Sequence, residues 1–94
     1  MNDNFMGRKV TPMQLAEHYS INEYFKLGYE SAFKNREFDY SIPHQRDATA
    51  YERGRAFATW CAAMKLPRAV WRNGKAAKTV VKRIADAVVA RAVI

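Results

Sequence analysis

The chain has 94 residues and a mass of 10.8 kDa, enough for one small domain that buries about 60–65% of its unfolded surface. Its apolar content of 49% and aromatic content of 13% exclude intrinsic disorder, and a single cysteine excludes an internal disulfide framework or a cysteine zinc cage. The formal charge of +7 is unevenly placed: residues 1–64 carry eight Lys/Arg and eight Asp/Glu, whereas residues 65–94 carry eight Lys/Arg against Asp86 alone.

Residues 1–10 are expected to form a flexible lead-in. Thr11-Pro12-Met13-Gln14 then reads as a helix start: Thr11 caps, Pro12 suits the first helical position, and Gln14 completes a capping box. Val10 and Leu15 stand where a hydrophobic staple would. Ser20-Ile21-Asn22-Glu23 repeats the signature, with Tyr19 and Tyr24 in the staple positions. The first helix is therefore predicted over 12–19, running through a bend into a second that ends near Lys34. Asn35, which tolerates the left-handed conformation, is the expected terminator.

The connection 36–45 contains Phe38, Tyr40, Ile42 and Pro43, and that apolar content predicts that it lies on the core. A third helix is expected from His44 or Asp47 to Lys65, stopped before Pro67, with Ala50, Tyr51, Gly54, Phe57, Ala58, Cys61 and Met64 forming its apolar stripe. Residues 66–72 are read as one further helical turn closed by Asn73-Gly74. A last helix is predicted over 75–92, with Ala77, Val80, Val81, Ile84, Ala87 and Val88 on one side and Lys75, Lys78, Lys82 and Asp86 opposite. Arg91 falls on the apolar side, so the final turn is expected to fray.

No stretch alternates as a strand would, and the fold expected is all-α. It is a single small helical domain built on an antiparallel helical hairpin (residues 11–65) with a basic C-terminal amphipathic segment (66–94). Small residues recur every fourth position at Ala50, Gly54, Ala58 and Ala62, and again at Gly28 and Ala32. A glycine inside a helix costs about 1 kcal/mol relative to alanine, so two of them imply a close crossing of the second and third helices.

Gly28-Tyr29, the Arg36 that follows, Pro43, and then Tyr51-Glu52-Arg53-Gly54 resemble the ribosome modulation factor family. Those small basic bacterial proteins carry a Gly-Tyr helix, an arginine-containing turn, a proline, and a second helix with an aromatic residue three positions before a glycine. The resemblance covers about residues 23–64. It implies a helical hairpin that binds ribosomal RNA and neighbouring protein in stationary phase, silencing ribosomes and favouring their pairing, with Tyr29, Arg36, Arg53 and Arg55 contributing contacts. The sequence departs from that pattern in having Asn35 where glycine is usual and Arg55 where an aromatic follows the second glycine. It spaces Pro43 differently, and it adds the basic segment after Leu66.

Independently of any family, Trp71 between Arg68 and Arg72, followed by Asn73-Gly74-Lys75, is a recognition candidate. Tryptophan offers a face for base stacking, arginines pair with phosphate, and a helix start favours an anion. Lys78 and Lys82 extend that basic surface along the last helix. Ala69, Gly74 and Val80 approximate a helix-turn-helix pattern, but Pro67 leaves too short a helix before the turn.

Chemistry-bearing constellations are absent from the sequence. His18 and His44 lack a second ligand at helical spacing, Cys61 lies on an apolar stripe, and Glu30, Glu37 and Asp39 fall at surface or turn positions. Neither an enzyme, a metal, a cofactor nor a small-molecule substrate is expected. No run approaches the roughly 18 apolar residues of a membrane span, and residues 1–10 lack the apolar core of a signal peptide, so a cytoplasmic protein is expected, in a bacterium or a phage-infected host. Peripheral membrane binding through residues 75–94 lacks an aromatic anchor. The leading expectation is a small nucleic-acid-binding protein that associates with ribosomal RNA and modulates translation. The alternative is a phage-type or bacterial regulator that binds an acidic protein surface and inhibits a host machine such as a polymerase or nuclease.

Overall fold

The computed structural model describes residues 4, 5 and 8–93. Helices dominate it: α1 (Pro12–Ser20), α2 (Glu23–Phe33), α3 (Gln45–Ala63) and α4 (Lys78–Val89). Two minimal antiparallel ribbons accompany them, β1 (Asn4–Phe5) with β2 (Arg8–Lys9), and β3 (Trp71–Arg72) with β4 (Lys75–Ala76). The expected all-α architecture is thus present, with the ribbons as additions to it. The flexible lead-in expected at residues 1–10 falls outside the described residues at 1–3, 6 and 7, while 4–5 pair with 8–9.

The capping box at α1 forms as the sequence implies. Thr11 Oγ1 accepts from the Gln14 N–H at 3.1 Å, and Gln14 Oε1 accepts from the Thr11 N–H at 2.9 Å. The second start lies two residues later than the Ser20 signature suggests. Ser20 is buried as the last residue of α1, its hydroxyl donating to the Glu17 carbonyl at 2.7 Å, and Asn22 caps α2 instead by accepting from the Tyr24 and Phe25 N–H groups. Donating leaves the hydroxyl its lone pairs, but the bond turns Ser20 back along its own helix, and the capping acceptor for the next is Asn22.

Helices α2 and α3 form the antiparallel hairpin, and their crossing is set by two glycines. A Cβ at Gly28 would lie 2.0 Å from the Tyr51 carbonyl oxygen, and a Cβ at Gly54 would lie 2.0 Å from that of Phe25. Each glycine faces the carbonyl three residues before the other, so the contact has local two-fold symmetry. Phe25, Tyr29, Phe57 and Cys61 are buried around it, and α1 packs against α4 to close the remaining side with Ala16, Val80, Ile84 and Ala87. Met64, assigned to the α3 stripe by its spacing, is instead 57% exposed, because the helix ends at Ala63.

Three helices end alike. Asn35, Lys65 and Arg91 each take positive φ, and the next residue's N–H returns to a carbonyl five positions back: Arg36 to Ser31, Leu66 to Cys61 and Ala92 to Ala87, all at 2.9 Å. The fraying expected at Arg91 is replaced by this closure, which turns the chain so that Val93 is fully buried.

Residues 66–72 do not form the helical turn expected of them. They run extended along α2, with the Ala69 N–H donating to the Tyr29 phenol at 2.9 Å and Arg83 Nη1 donating to the Pro67 carbonyl at 2.7 Å. Pro67 disfavours a helical Leu66, and Asn73-Gly74 with φ of 52° and 75° makes a tight hairpin turn of the type whose twist suits paired strands. The ribbon occupies residues expected to be helical, so α4 starts at Lys78 and not at Lys75.

Candidate nucleic-acid interface

The β3–β4 ribbon sorts its side chains by face. Trp71 pairs with Ala76 and Arg72 with Lys75. The first pair turns inward, Ala76 buried and Trp71 half-buried, and the second is exposed. The Trp71 ring lies 5.4 Å from that of Tyr29, and its indole N–H donates to the Ser20 carbonyl at 3.2 Å. Such anchoring leaves the tryptophan fixing the ribbon in place instead of offering it as a stacking platform. What the ribbon presents outward is Arg72 directly opposite Lys75, and like charges so placed repel.

Lys78 opens α4 beside this pair. The α4 N-cap, Ala77, supplies no side-chain hydrogen bond, and no acid stands in the first turn. The partial positive end of the helix therefore adds to the field of Arg72, Lys75 and Lys78, none of which makes an ion pair among the described residues. Lys82, a turn further on, lies 3.6 Å from the Asp86 carboxylate, which partly neutralises it.

Other cations expected at the interface are structural. Arg68 Nη2 donates to both carboxylate oxygens of Glu30 at 2.7 Å, and its guanidinium lies 5.0 Å from the Phe33 ring centroid. The Glu30 hydrogen bonds raise the Arg68 pKa further above its ordinary value. Arg55 Nη1 donates to the Ser31 hydroxyl at 3.1 Å and to the Arg36 carbonyl at 3.0 Å. Arg53 lies 3.4 Å from the Glu52 carboxylate and beside the Tyr19 phenol, whose pKa burial raises and Arg53 draws partly back. Tyr29, expected to touch RNA, is 1% exposed. Burial lifts its pKa against the opposing hydrogen bond from Ala69, and it serves the core. Arg36 is exposed at the far end of α2 from the ribbon.

The structure therefore brings together Arg72, Lys75 and Lys78, with Lys82 at their edge, and assigns Arg68, Trp71, Tyr29 and Arg55 to internal contacts. Sequence reasoning missed Ser31, a buried hydroxyl 3.2 Å from that of Tyr51, and it also missed Tyr40. Tyr40 was expected on the core with its neighbours; Phe38 and Ile42 are half-buried, but Tyr40 is 88% exposed. The available signal was Asp39: alternation alone would set 38, 40 and 42 on one side, but the Asp39 carboxylate accepts from the Ser41 N–H and hydroxyl and turns the chain at Tyr40.

A depression of about 260 Å³ between α2 and the following loop is lined by Glu30, Lys34, Arg36, Glu37, Asp39 and Tyr51 among others. Two of its three acids are occupied: Glu30 holds Arg68, and Asp39 accepts from the Ser41 N–H and hydroxyl, which lowers its pKa; Glu37 is exposed at its rim. Burial alone would raise the Tyr51 phenol, but hydrogen bonds from Ser31 and the Asp39 N–H, with Arg55 nearby, bring it below its ordinary value. Among the described residues no group of three or more His, Cys, Asp or Glu is placed to hold a metal ion, and no helix is long and apolar enough to cross a membrane. No protein-family model, curated protein or solved structure matches the chain.

Proposed function

We propose that the protein binds nucleic acid through the outward face of the β3–β4 ribbon and the start of α4. The observation that carries this reading is the exposed Arg72–Lys75 cross-strand pair with Lys78 beside it. A pair of like charges costs stability in the free protein, and a phosphate between them would convert repulsion into attraction. Ribosomal RNA is the favoured target and translation the process affected. Support for that narrower reading is the α2–α3 hairpin, which is the architecture implied by the resemblance to ribosome modulation factors. Of the four contacts implied there, Arg36 is the one exposed outright, so the ribbon carries more of the proposed surface than the hairpin does.

The test is fluorescence anisotropy with labelled RNA over a salt series, for the wild type and the double change Arg72→Glu and Lys75→Glu. Each lost phosphate contact should reduce the slope of log affinity against log salt by about 0.7–0.9. Unchanged affinity and slope in a folded double variant would remove the ribbon from the interface. Sedimentation with ribosomes in moderate salt tests the narrower target, because phosphate contacts position a protein without specifying its site. Association that survives nuclease treatment through a protein partner would favour the inhibitor alternative.

A further inference from the structure

Resting on the nucleic-acid reading, we propose that the tip of the β3–β4 ribbon seats in the narrow major groove of a double-helical RNA stem, with Arg72 on one phosphate row and Lys75 on the other. The tip projects from the molecule: Arg72, Asn73, Gly74 and Lys75 are consecutive and all exposed, and a Cβ at Gly74 would meet nothing within 4 Å. Its base is held firmly. The Trp71 indole N–H donates to the Ser20 carbonyl at 3.2 Å, the Trp71 ring lies 5.4 Å from that of Tyr29, and the Ala77 N–H donates to the Val70 carbonyl at 3.1 Å. A slim projection on a fixed mount gives up little conformational freedom when it enters a groove.

Geometry, chemistry and charge each favour a stem over a single strand. Strand pairing sets Arg72 opposite Lys75, with Cα atoms about 5.5 Å apart in the hydrogen-bonded pair that closes a two-residue turn. Repulsion turns the two side chains apart, so one cation faces each way. A-form RNA lines its deep, narrow major groove with a phosphate row on either side, whereas a single strand has one row to offer. No aromatic ring stands at the tip, and Trp71 is turned inward, so an unpaired base has no face to stack on. Residues 66–85 contain no Asp or Glu, and Lys78 adds a third exposed cation without an ion pair among the described residues. Glu30, which reaches this segment from α2, is engaged by Arg68. Such a cationic surface is best matched by a duplex, whose phosphates are packed about twice as densely along the axis as those of one strand.

The experiment titrates full-length wild type, Asn73→Asp and Asn35→Asp into a labelled RNA duplex and into a labelled oligouridylate with the same number of phosphates. Wild type should bind the duplex about tenfold or more tighter. Asp-Gly makes the same turn as Asn-Gly, so Asn73→Asp keeps the ribbon while setting a carboxylate between the two phosphate rows. Duplex affinity should then fall about tenfold or more. Asn35→Asp makes the same change of charge at another residue of positive φ, 57°, at the end of α2, and should stay within about twofold of wild type. Thermal unfolding of both variants should match the wild type, which separates lost binding from lost structure. Wild type that binds the oligouridylate as tightly as the duplex, with both interactions lost in the Arg72→Glu and Lys75→Glu double variant, would overturn the groove seat and leave the ribbon reading standing. A folded Asn73→Asp protein that weakens duplex binding no more than Asn35→Asp does would overturn it too. A wild type that binds neither RNA would overturn both readings together.

Discussion

Replacing Gly54 by alanine should destabilise the protein strongly, although alanine is the better helix former. In an open helix the change would gain about 1 kcal/mol of propensity. Here the added Cβ would fall 2.0 Å from the Phe25 carbonyl oxygen, 2.8 Å from its carbon and 3.0 Å from the Tyr29 nitrogen. All three are backbone atoms of α2, so no side chain can swing aside. The helices must separate by roughly 1 Å, and a gap of that size forfeits about a quarter to a half of each dispersion contact across the seam. Phe25, Tyr29, Tyr51 and Phe57 all lie along it. Overpacking normally costs about 1–3 kcal/mol, and this backbone-on-backbone case belongs at or above the upper end, leaving a net loss of about 2–4 kcal/mol after the propensity gain. For a domain of this size that lowers Tm by about 10–25 °C, read by far-UV circular dichroism.

Gly28→Ala should behave alike, since its Cβ would meet the Tyr51 oxygen at the same 2.0 Å. The double variant should cost less than the sum, because helices already separated by one methyl admit the second more easily. A Gly54→Ala protein that melts at or above the wild-type temperature would mean that propensity outweighs contact, and the close crossing would be wrong.

Tyr51→Phe should cost about 1–3 kcal/mol in thermal unfolding, because it leaves the Asp39 N–H without its acceptor and removes one partner of the buried Ser31 hydroxyl. Lys65→Gly should hold or raise Tm, since a lysine at φ 56° bears a strain of about 1–2 kcal/mol that glycine lacks. Stability should fall as pH rises past about 9 and again past about 10: burial raises the pKa of Cys61, Tyr19 and Tyr29, so the unfolded chain ionises first and is favoured in that window. Tyr51, depressed, opposes this, so a Tyr29→Phe variant with a flatter alkaline decline in Tm would confirm which groups dominate. Arg68→Ala should lower RNA affinity only as it lowers Tm, by loosening the linker that Glu30 holds through it, where Arg72→Ala lowers affinity without lowering Tm, as anisotropy and thermal unfolding together would show.

The hairpin was legible because its determinants are local or periodic. The Thr11–Gln14 box, Asn35 at a helix end, and glycines at a recurring spacing each state a backbone requirement in residue type. The ribbon was equally legible and was misread: Asn-Gly is the strongest short-range hairpin signal, but flanking strands of two residues are too short to show alternation. Ser20 against Asn22 shows another limit. Both residues can cap, and the choice depends on burial, which places the Ser20 hydroxyl against the Glu17 carbonyl and leaves Asn22 at the bend. Trp71 had two readings of similar merit, and only the position of the Tyr29 ring decides between them.

Charge counting had a different weakness, because it records how many cations a segment holds and not how they are used. The last third owes its +7 to eight basic residues, yet two of them hold that segment in place, Arg68 through Glu30 and Arg83 through the Pro67 carbonyl, while Lys82 pairs with Asp86 within its own helix. The first two contacts tie an extended linker and a terminal helix to the hairpin, and the linker in turn seats Trp71 against Tyr29. Only once the ribbon is fixed in this way do Arg72 and Lys75 become a defined pair, held opposite one another by the pairing of their strands. One group of basic residues therefore builds the mount and another is displayed on it. Removing Arg83 should accordingly weaken RNA binding indirectly, by loosening the ribbon, and lower Tm as it does so, whereas removing Arg72 should weaken binding with Tm held or slightly raised, because its repulsion with Lys75 goes with it. Measured together on the same variants, the two quantities separate mount from display, and an Arg83→Ala protein that loses affinity without losing stability would collapse the distinction.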